Sequence, residues 1–429
     1  SLKRFLRNIS STSNGKSQTL VINGDFFDFL RVDRIPDRKQ AEDAKLVERW
    51  KSFLEAISHP AASGDLYAAD KSESEYGFKT NDYKSVWKLL LIFEGHKIFF
   101  DALRSFLERD GNKLMILKGN HDLEFYWEAV RQAFVFFLAK EDVERYNAFN
   151  ERVSFYQKSV VMNKELHIEH GHVFDPVTYA TPDTLPRNRA ELLLSVGSLF
   201  NRYVINKIEE IEPLFDNIKP PTNILKAVAL HYPRKFLKIV FRHLVGAWRI
   251  VRKRHVLFAA KIIGKIFSVG LPVVVFIVLA TVLYFKLQNA IADDIGRWVL
   301  NTIASLLGAL AVRWVQSKLA GVDSSSSLLS HAKEVYRKNP SLKLITFGHT
   351  HTSEMSLMSD DCWYCNSGTW IPNIEINPNK VQDTNTFCVL HVINNDGTLQ
   401  REPLLRWNDE RGELERMIFF EISEKKQAR

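Results

Sequence analysis

Four short apolar runs in this chain end in the same way, and that repetition constrains the fold more than any other feature. Thr19-Leu20-Val21-Ile22-Asn23 runs into Gly24-Asp25-Phe26-Phe27-Asp28, and Lys113-Leu114-Met115-Ile116-Leu117 into Lys118-Gly119-Asn120-His121-Asp122. Leu166-His167-Ile168-Glu169 runs into His170-Gly171-His172, and the run 342–347 into Gly348-His349-Thr350-His351. Short aliphatic stretches bounded by glycine turns read as strands. From Lys97 onwards, apolar residues at Ile98, Phe99, Ala102, Leu103, Phe106 and Leu107 keep a helical spacing that ends near Gly111. Strands alternating with helices point to an α/β protein, in which ligands gather beyond the carboxyl ends of the strands. His349 and His351, on alternate positions just past a strand, can turn both imidazoles towards one point. Imidazole is a common metal ligand; a polar loop holding two ordinary histidines is the plain alternative.

Taken in order, GDFFD, GNHD, HGH and GHTH resemble the motif set of the calcineurin-like metallophosphoesterases. The resemblance covers residues 17–30, 97–180 and 340–395. It implies a four-layer α-β-β-α sandwich, two sheets enclosed by helices, holding two divalent metal ions (Mn, Fe or Zn) at the roughly 3.5–4 Å spacing of two-metal sites. Two neighbouring cations need a bridging anion and neutral nitrogen ligands to balance charge. By this resemblance Asp25 bridges both ions, Asn120, His170 and His349 complete the shell of the second, and His351 belongs to the first. His121 contacts the phosphate and protonates the leaving oxygen, with Asp122 orienting its ring. Asp28 is expected beside the metals rather than on one, and His172 is either a substrate contact or an ordinary loop histidine. His167 and His391 read as structural, and Asn366-Ser367-Gly368-Thr369 resembles the family's closing strand and loop. The family opens with a strand ending in Asp-x-His, which supplies the first ion's other ligands. No Asp-x-His precedes Gly24 here, and residues 1–9 resemble the helix that follows it, so the motif is expected upstream of Ser1.

At 429 residues the chain has room for two or three domains. The resemblance divides it into a discontinuous core (1–30, 95–175 and 335–400), a lid or rim at 31–94, a basic helical insertion at 176–334 and a charged extension at 401–429. Within 31–94 a helix is expected near 41–57 and a polar, irregular patch near 63–76; 322–330 reads as a serine-rich linker. Three cysteines (Cys362, Cys365, Cys388) are too few for a disulfide scaffold, which favours a reducing compartment. Cys362 and Cys365 have redox or half-zinc-knuckle spacing but sit in a strand-like run without a second pair, and read as structural.

Net charge is +8, yet residues 217–292 hold thirteen Lys and Arg and no acid, so the remainder nets −5 (8 − 13). Such a block suits anionic lipid or nucleic acid. The apolar runs beside it favour lipid. Residues 266–285 form an uncharged apolar run of twenty, long enough at 1.5 Å per residue to span about 30 Å of hydrocarbon. Residues 295–315 form a weaker second run, with Arg and Trp near both ends as at membrane interfaces. The flanking positive charges predict a hairpin with both ends, and the catalytic domain, on the cytoplasmic side. The reading is therefore a membrane-tethered dimetal hydrolase of phosphoesters, with membrane lipid as a partner and no nucleic acid expected. Two alternatives stay open: a phosphoesterase-like binding or scaffold protein with an incomplete first metal site, and a nucleic-acid phosphodiesterase.

Overall fold

The computed structural model is mixed α/β. It describes residues 1–175 apart from 13–14, 177–211 apart from 180–190, 218–219, 228, 231–252 apart from 245, 247 and 249–250, scattered positions from 256 to 302, and 324–417 apart from 360, 372–373, 376–385, 396 and 403. The chain divides into two compact units, Ser1–Val245 with Ser327–Arg429, and Gly246–Ser326. The expected hairpin runs 266–285 and 295–315 lie, but for a few positions, outside the described residues. Among those described, no helix is long and apolar enough to cross a membrane.

Two sheets organise the first unit. One is all-parallel, in the order β1 (Thr19–Asn23), β2 (Lys113–Leu117), β3 (Val153–Tyr156). The other takes β4 (Ser159–Met162) and β5 (Leu166–Glu169), passes over the two-residue β6 (Ile218–Lys219), and continues with β7 (Leu344–Phe347), β8 (Ser353–Ser359) and β9 (Cys362–Ser367) in the order β4-β5-β7-β9-β8. β5, β7 and β9 are parallel, and the outer strands antiparallel. β1 lies at one edge of its sheet, paired with β2 alone.

Side chains alternate along each strand, and the alternation separates three apolar clusters. Leu20, Ile22, Leu114, Ile116, Val153 and Phe155 face helices Ala41–Ala56, Asp82–Gly95, Lys97–Leu107 and Glu128–Leu138, through residues such as Trp50, Trp87, Phe100 and Phe134. Val21, Leu117 and Tyr156 turn the other way and meet Leu166, Ile168, Leu344 and Cys365 of the second sheet. The far side of that sheet, Ile345, Phe347, Cys362 and Tyr364, is covered by Leu328 and Ala332 of helix Ser324–Lys338.

Several segments differ from expectation. Residues 31–94, expected as a lid or rim, contribute to the core: Trp50, Phe53, Trp87 and Leu90 are fully or almost fully buried in the same cluster as β2. Their indoles are satisfied, Trp50 Nε1 donating to the Tyr83 carbonyl (2.8 Å) and Trp87 Nε1 to that of Arg34 (3.1 Å). The polar patch near 63–76 folds into two short helices, Ser63–Tyr67 and Lys71–Tyr76. The second has a reciprocal cap: Asp70 accepts from the Glu73 N–H (2.8 Å), and Glu73 from the Asp70 N–H (3.3 Å). The serine run after 322 is the first turn of helix Ser324–Lys338 rather than a linker. The 401–429 extension is folded in up to residue 417: Leu405–Asn408 pairs with Cys388–Val389 and with Glu413–Arg416, and buries Trp407 against Phe5. All three cysteines are buried thiols outside any disulfide, and burial pushes the Cys365 thiol up to about 12, which makes it unreactive.

Candidate metal centre

Strand register brings the four motif loops to one place. β1 and β2 run parallel with Asn23 opposite Leu117, so Gly24-Asp25 and Gly119-Asn120 leave their sheet side by side. β5 and β7 run parallel with Ile168 opposite Thr346, so His170 and His349 leave the second sheet together. The Gly348 N–H donates to the His170 carbonyl (3.0 Å), and Asn366 Nδ2 to the Gly348 carbonyl (2.7 Å), which ties the NSGT strand end to the GHTH loop. Asn23 Nδ2 donates to the Glu169 carbonyl (3.1 Å), and His170 Nδ1 to that of Asn23 (2.6 Å), stitching the two sheets at this edge. As a result a carboxylate oxygen of Asp25 and ring nitrogens of His170 and His349 lie within 4.8 Å of one another.

The local backbone is unusual where these side chains originate. Asp25, His349 and His351 adopt left-handed φ values of 53°, 70° and 60°, conformations that cost non-glycine residues energy and cluster at functional sites. Two neighbours must be glycine. A Cβ at Gly24 (φ 79°) would lie 2.2 Å from His170 Nδ1, and one at Gly119 would lie 2.2 Å from Asp25 Oδ1. The glycines of the motifs therefore make the cradle into which Asp25 and His170 fit.

Electrostatics suit a cation. Asp25 Oδ1 accepts from the His121 N–H (2.9 Å), and Oδ2 lies 3.1 Å from His170 Nε2. Burial alone would raise the Asp25 pKa, but His170 and His121 outweigh it and hold the carboxyl well below the usual range, so it stays ionised. His170 spends Nδ1–H on a backbone carbonyl, which directs Nε2 at Asp25 and at Asn120 Oδ1, 3.3 Å away. Burial lowers the His170 pKa, yet Asp25 raises it more, so without metal Nε2 carries a proton pointed at two oxygens. A divalent ion would take the place of that proton. One carboxylate, one amide oxygen and two imidazoles form a donor set that fits Mn, Fe or Zn. His351 is on the same loop but is not among the three residues whose ligand atoms converge.

His121 sits beside this cluster with 32% of its side chain exposed. Its ring is held by Asp28, not by Asp122: Nδ1 is 2.7 Å from Asp28 Oδ2. Asp28 precedes the 3₁₀ turn Phe29–Arg31 and uses Oδ1 to cap the Leu30 N–H, which leaves Oδ2 for the imidazole. Burial opposes a charge on His121, but Asp28 and Asp25 raise its pKa to about 10. Asp122 is completely buried and spends its oxygens on backbone, Oδ1 on the Gly119 N–H (2.6 Å) and Oδ2 on the Phe26 N–H (2.8 Å). Burial, with the Asp25 charge, pushes it up to about 7. It locks the first two motif loops together. His172 is buried, its ring centroid 5.4 Å from that of His170, and burial with the His170 charge lowers its pKa to about 3. His167 pairs with Glu169 (3.0 Å), and His391 is exposed.

Two further residues reach the site that the motifs did not reveal. Asn201 Nδ2 donates to Asp28 Oδ2 (3.1 Å), and Asp175 Oδ2 lies 3.1 Å from His349 Nε2. Asn201 opens a π-helical turn, Asn201–Ile205, between helices Val196–Phe200 and Asn206–Glu209. The start of the expected insertion therefore packs on the site. A sequence signal existed for that helix: Ser195 caps the Ser198 N–H (3.1 Å), and Val196, Leu199, Val204 and Ile208 keep a helical apolar spacing. Comparison of the chain with protein-family profiles, with curated proteins and with solved structures gives no match.

Proposed function

We propose that this chain is a metal-dependent hydrolase of phosphoester bonds, a calcineurin-like metallophosphoesterase tethered to a membrane. The observation that carries the reading is the meeting of Asp25, His170 and His349 from loops of two different sheets, with His121 beside them. The three stacked apolar clusters, helices on one sheet, sheet on sheet, and helix Ser324–Lys338 on the other, support a four-layer α-β-β-α sandwich.

Asp25, Asn120, His170 and His349 would hold the ion. Once bound, such a cation polarises a phosphoryl oxygen and acidifies a bound water. The chain's own part is positional. Asp28 keeps the His121 ring in place and charged, so that its exposed face offers a proton to the leaving oxygen of a phosphoester. Asn201 donates to the same Asp28 oxygen that holds the ring. A second cation would have Asp25 and His351 from this chain, short of the usual three protein ligands. The membrane tether rests on the run 266–285 and the basic block before it.

The test is turnover of p-nitrophenyl phosphate and bis(p-nitrophenyl) phosphate by the purified chain with manganese. We expect hydrolysis of at least one, lost on chelation, restored by manganese and absent in His349→Ala. Manganese bound without turnover of either ester would favour the binding-protein reading. That alternative draws support from the convergence of ligands on one ion rather than two among the described residues.

A further inference from the structure

The loop that carries His170 also supplies a residue for His349. After His170 the chain makes one 3₁₀ turn, His172–Phe174, and reaches Asp175. Asp175 Oδ1 accepts the Val177 N–H (2.8 Å), an Asx turn that fixes the carboxylate's direction. Oδ2 then lies 3.1 Å from His349 Nε2, across 174 residues of sequence. Thr178 Oγ1 is also 3.1 Å from that nitrogen, while its hydroxyl donates to the His172 carbonyl (3.3 Å). Both oxygens at His349 Nε2 are therefore acceptors, and an imidazole nitrogen facing two acceptors carries the hydrogen. The lone pair of a neutral ring is then on Nδ1.

His349 needs such a partner. Its backbone is in the left-handed region (φ 70°), so the chain itself sets an uncommon direction for the side chain and a ring flip would exchange the two nitrogens. His170 solves the same problem with the Asn23 carbonyl. We propose that Asp175 is the positioning residue of His349: it holds the ring as the Nε2–H tautomer and turns Nδ1 towards the cation shared with Asp25 and His170. The inference rests on the metal-site reading above. An imidazole held by a carboxylate on its second nitrogen is a better and better-aimed ligand, and losing such a partner commonly weakens metal binding about 10–100-fold.

The experiment titrates manganese into the purified full-length chain by calorimetry, with free ion counted by electron paramagnetic resonance. The visible spectrum of the cobalt-loaded chain is recorded alongside. Asp175→Ala is expected to weaken manganese binding about 10–100-fold and to change the cobalt bands, with the melting temperature of the metal-free chain unchanged. Asp175→Asn, which keeps the shape and one acceptor oxygen, should fall between; it replaces Asp175→Ala should that variant fail to fold. His349→Ala should abolish binding. Wild-type affinity and an unaltered cobalt spectrum in the Asp175 variants, with binding lost in His349→Ala, would overturn the assignment and leave the metal site standing. Unchanged binding in His349→Ala would remove the metal reading itself, and the role of Asp175 with it.

Discussion

At the scale of single residues, the proposed function would separate holding an ion from moving a proton. His349→Ala should lose both metal and turnover while the chain stays folded, since His349 meets Asp25 and His170 at one point. His121→Ala should keep the metal and lose rate by about 10²–10⁴-fold, the usual span for a general acid; elemental analysis beside a turnover assay distinguishes the two. Asp28→Asn should follow His121→Ala, whereas an Asp122-centred arrangement would leave it near wild type. Gly119→Ala tests the cradle: its Cβ would stand 2.2 Å from Asp25 Oδ1, so metal affinity should fall although a methyl group is the only addition. Retained affinity would mean that the loop can shift. The meeting of Asp25, His170 and His349 was anticipated through the resemblance of the four motif loops, each placed after a strand. The partners were not legible. Asp28 and Asp122 are both acids close to their motifs, and only the 3₁₀ turn after Asp28 decides which one reaches the His121 ring. Asn201 and Asp175 act across 173 and 174 residues, a separation that no local spacing encodes.

At the scale of elements, the strands and helix Lys97–Leu107 could be read from periodicity, but the role of residues 31–94 could not. Their apolar positions face the β1–β3 sheet, and no feature of the sequence distinguishes a helix that covers a sheet from one that covers a cleft. Helix Asp82–Gly95 also brings Lys88 against Glu124, which lies on the turn just after the GNHD motif. Both are 1% exposed and 3.7 Å apart, and among the described residues neither Lys88 Nζ nor Glu124 Oε1 has a hydrogen-bond partner. Burial lowers the Lys88 pKa to about 8 and raises that of Glu124. Removing one partner strands the other charge, so Lys88→Met should cost about 3–5 kcal/mol, and Lys88→Met/Glu124→Leu should recover most of it. The pH dependence has a definite sign. Between about 8 and the ordinary Lys value of 10.5 the unfolded chain binds the Lys88 proton and the folded chain does not, so this group's contribution to stability grows as pH rises. Urea midpoints at about pH 7.5, below that rise, and about pH 10, well into it, should show the contribution in the wild type and its absence in Lys88→Met. Equal pH responses in the two proteins would mean that the lysine titrates normally.

At the scale of the whole molecule, charge is segregated: thirteen positive residues and no acid in 217–292, and a net −5 elsewhere. Part of that block is helix Pro233–Lys238, where Arg234, Lys235 and Lys238 are exposed, and Arg242 just beyond it pairs with Glu75 (2.9 Å). Two physical arrangements would hold such a chain at a membrane. In one, the basic face alone attracts anionic headgroups, an interaction screened over about 8–10 Å at physiological ionic strength and therefore released by salt. In the other, the uncharged residues 266–285, with 295–315 behind them, enter the hydrocarbon, where every buried CH₂ adds about 0.8 kcal/mol and neither salt nor alkali reverses the gain. The basic residues would then flank the inserted run on the cytoplasmic side. We expect insertion: after high-salt and alkaline carbonate washes of membranes, the full-length chain should stay in the pellet. Release by salt would assign the attachment to the basic face alone, and release only by carbonate to a peripheral association of mixed character. An Arg234→Glu/Lys235→Glu/Lys238→Glu variant separates the two further, because an inserted chain keeps its pellet fraction when those charges are reversed and a surface-bound one does not.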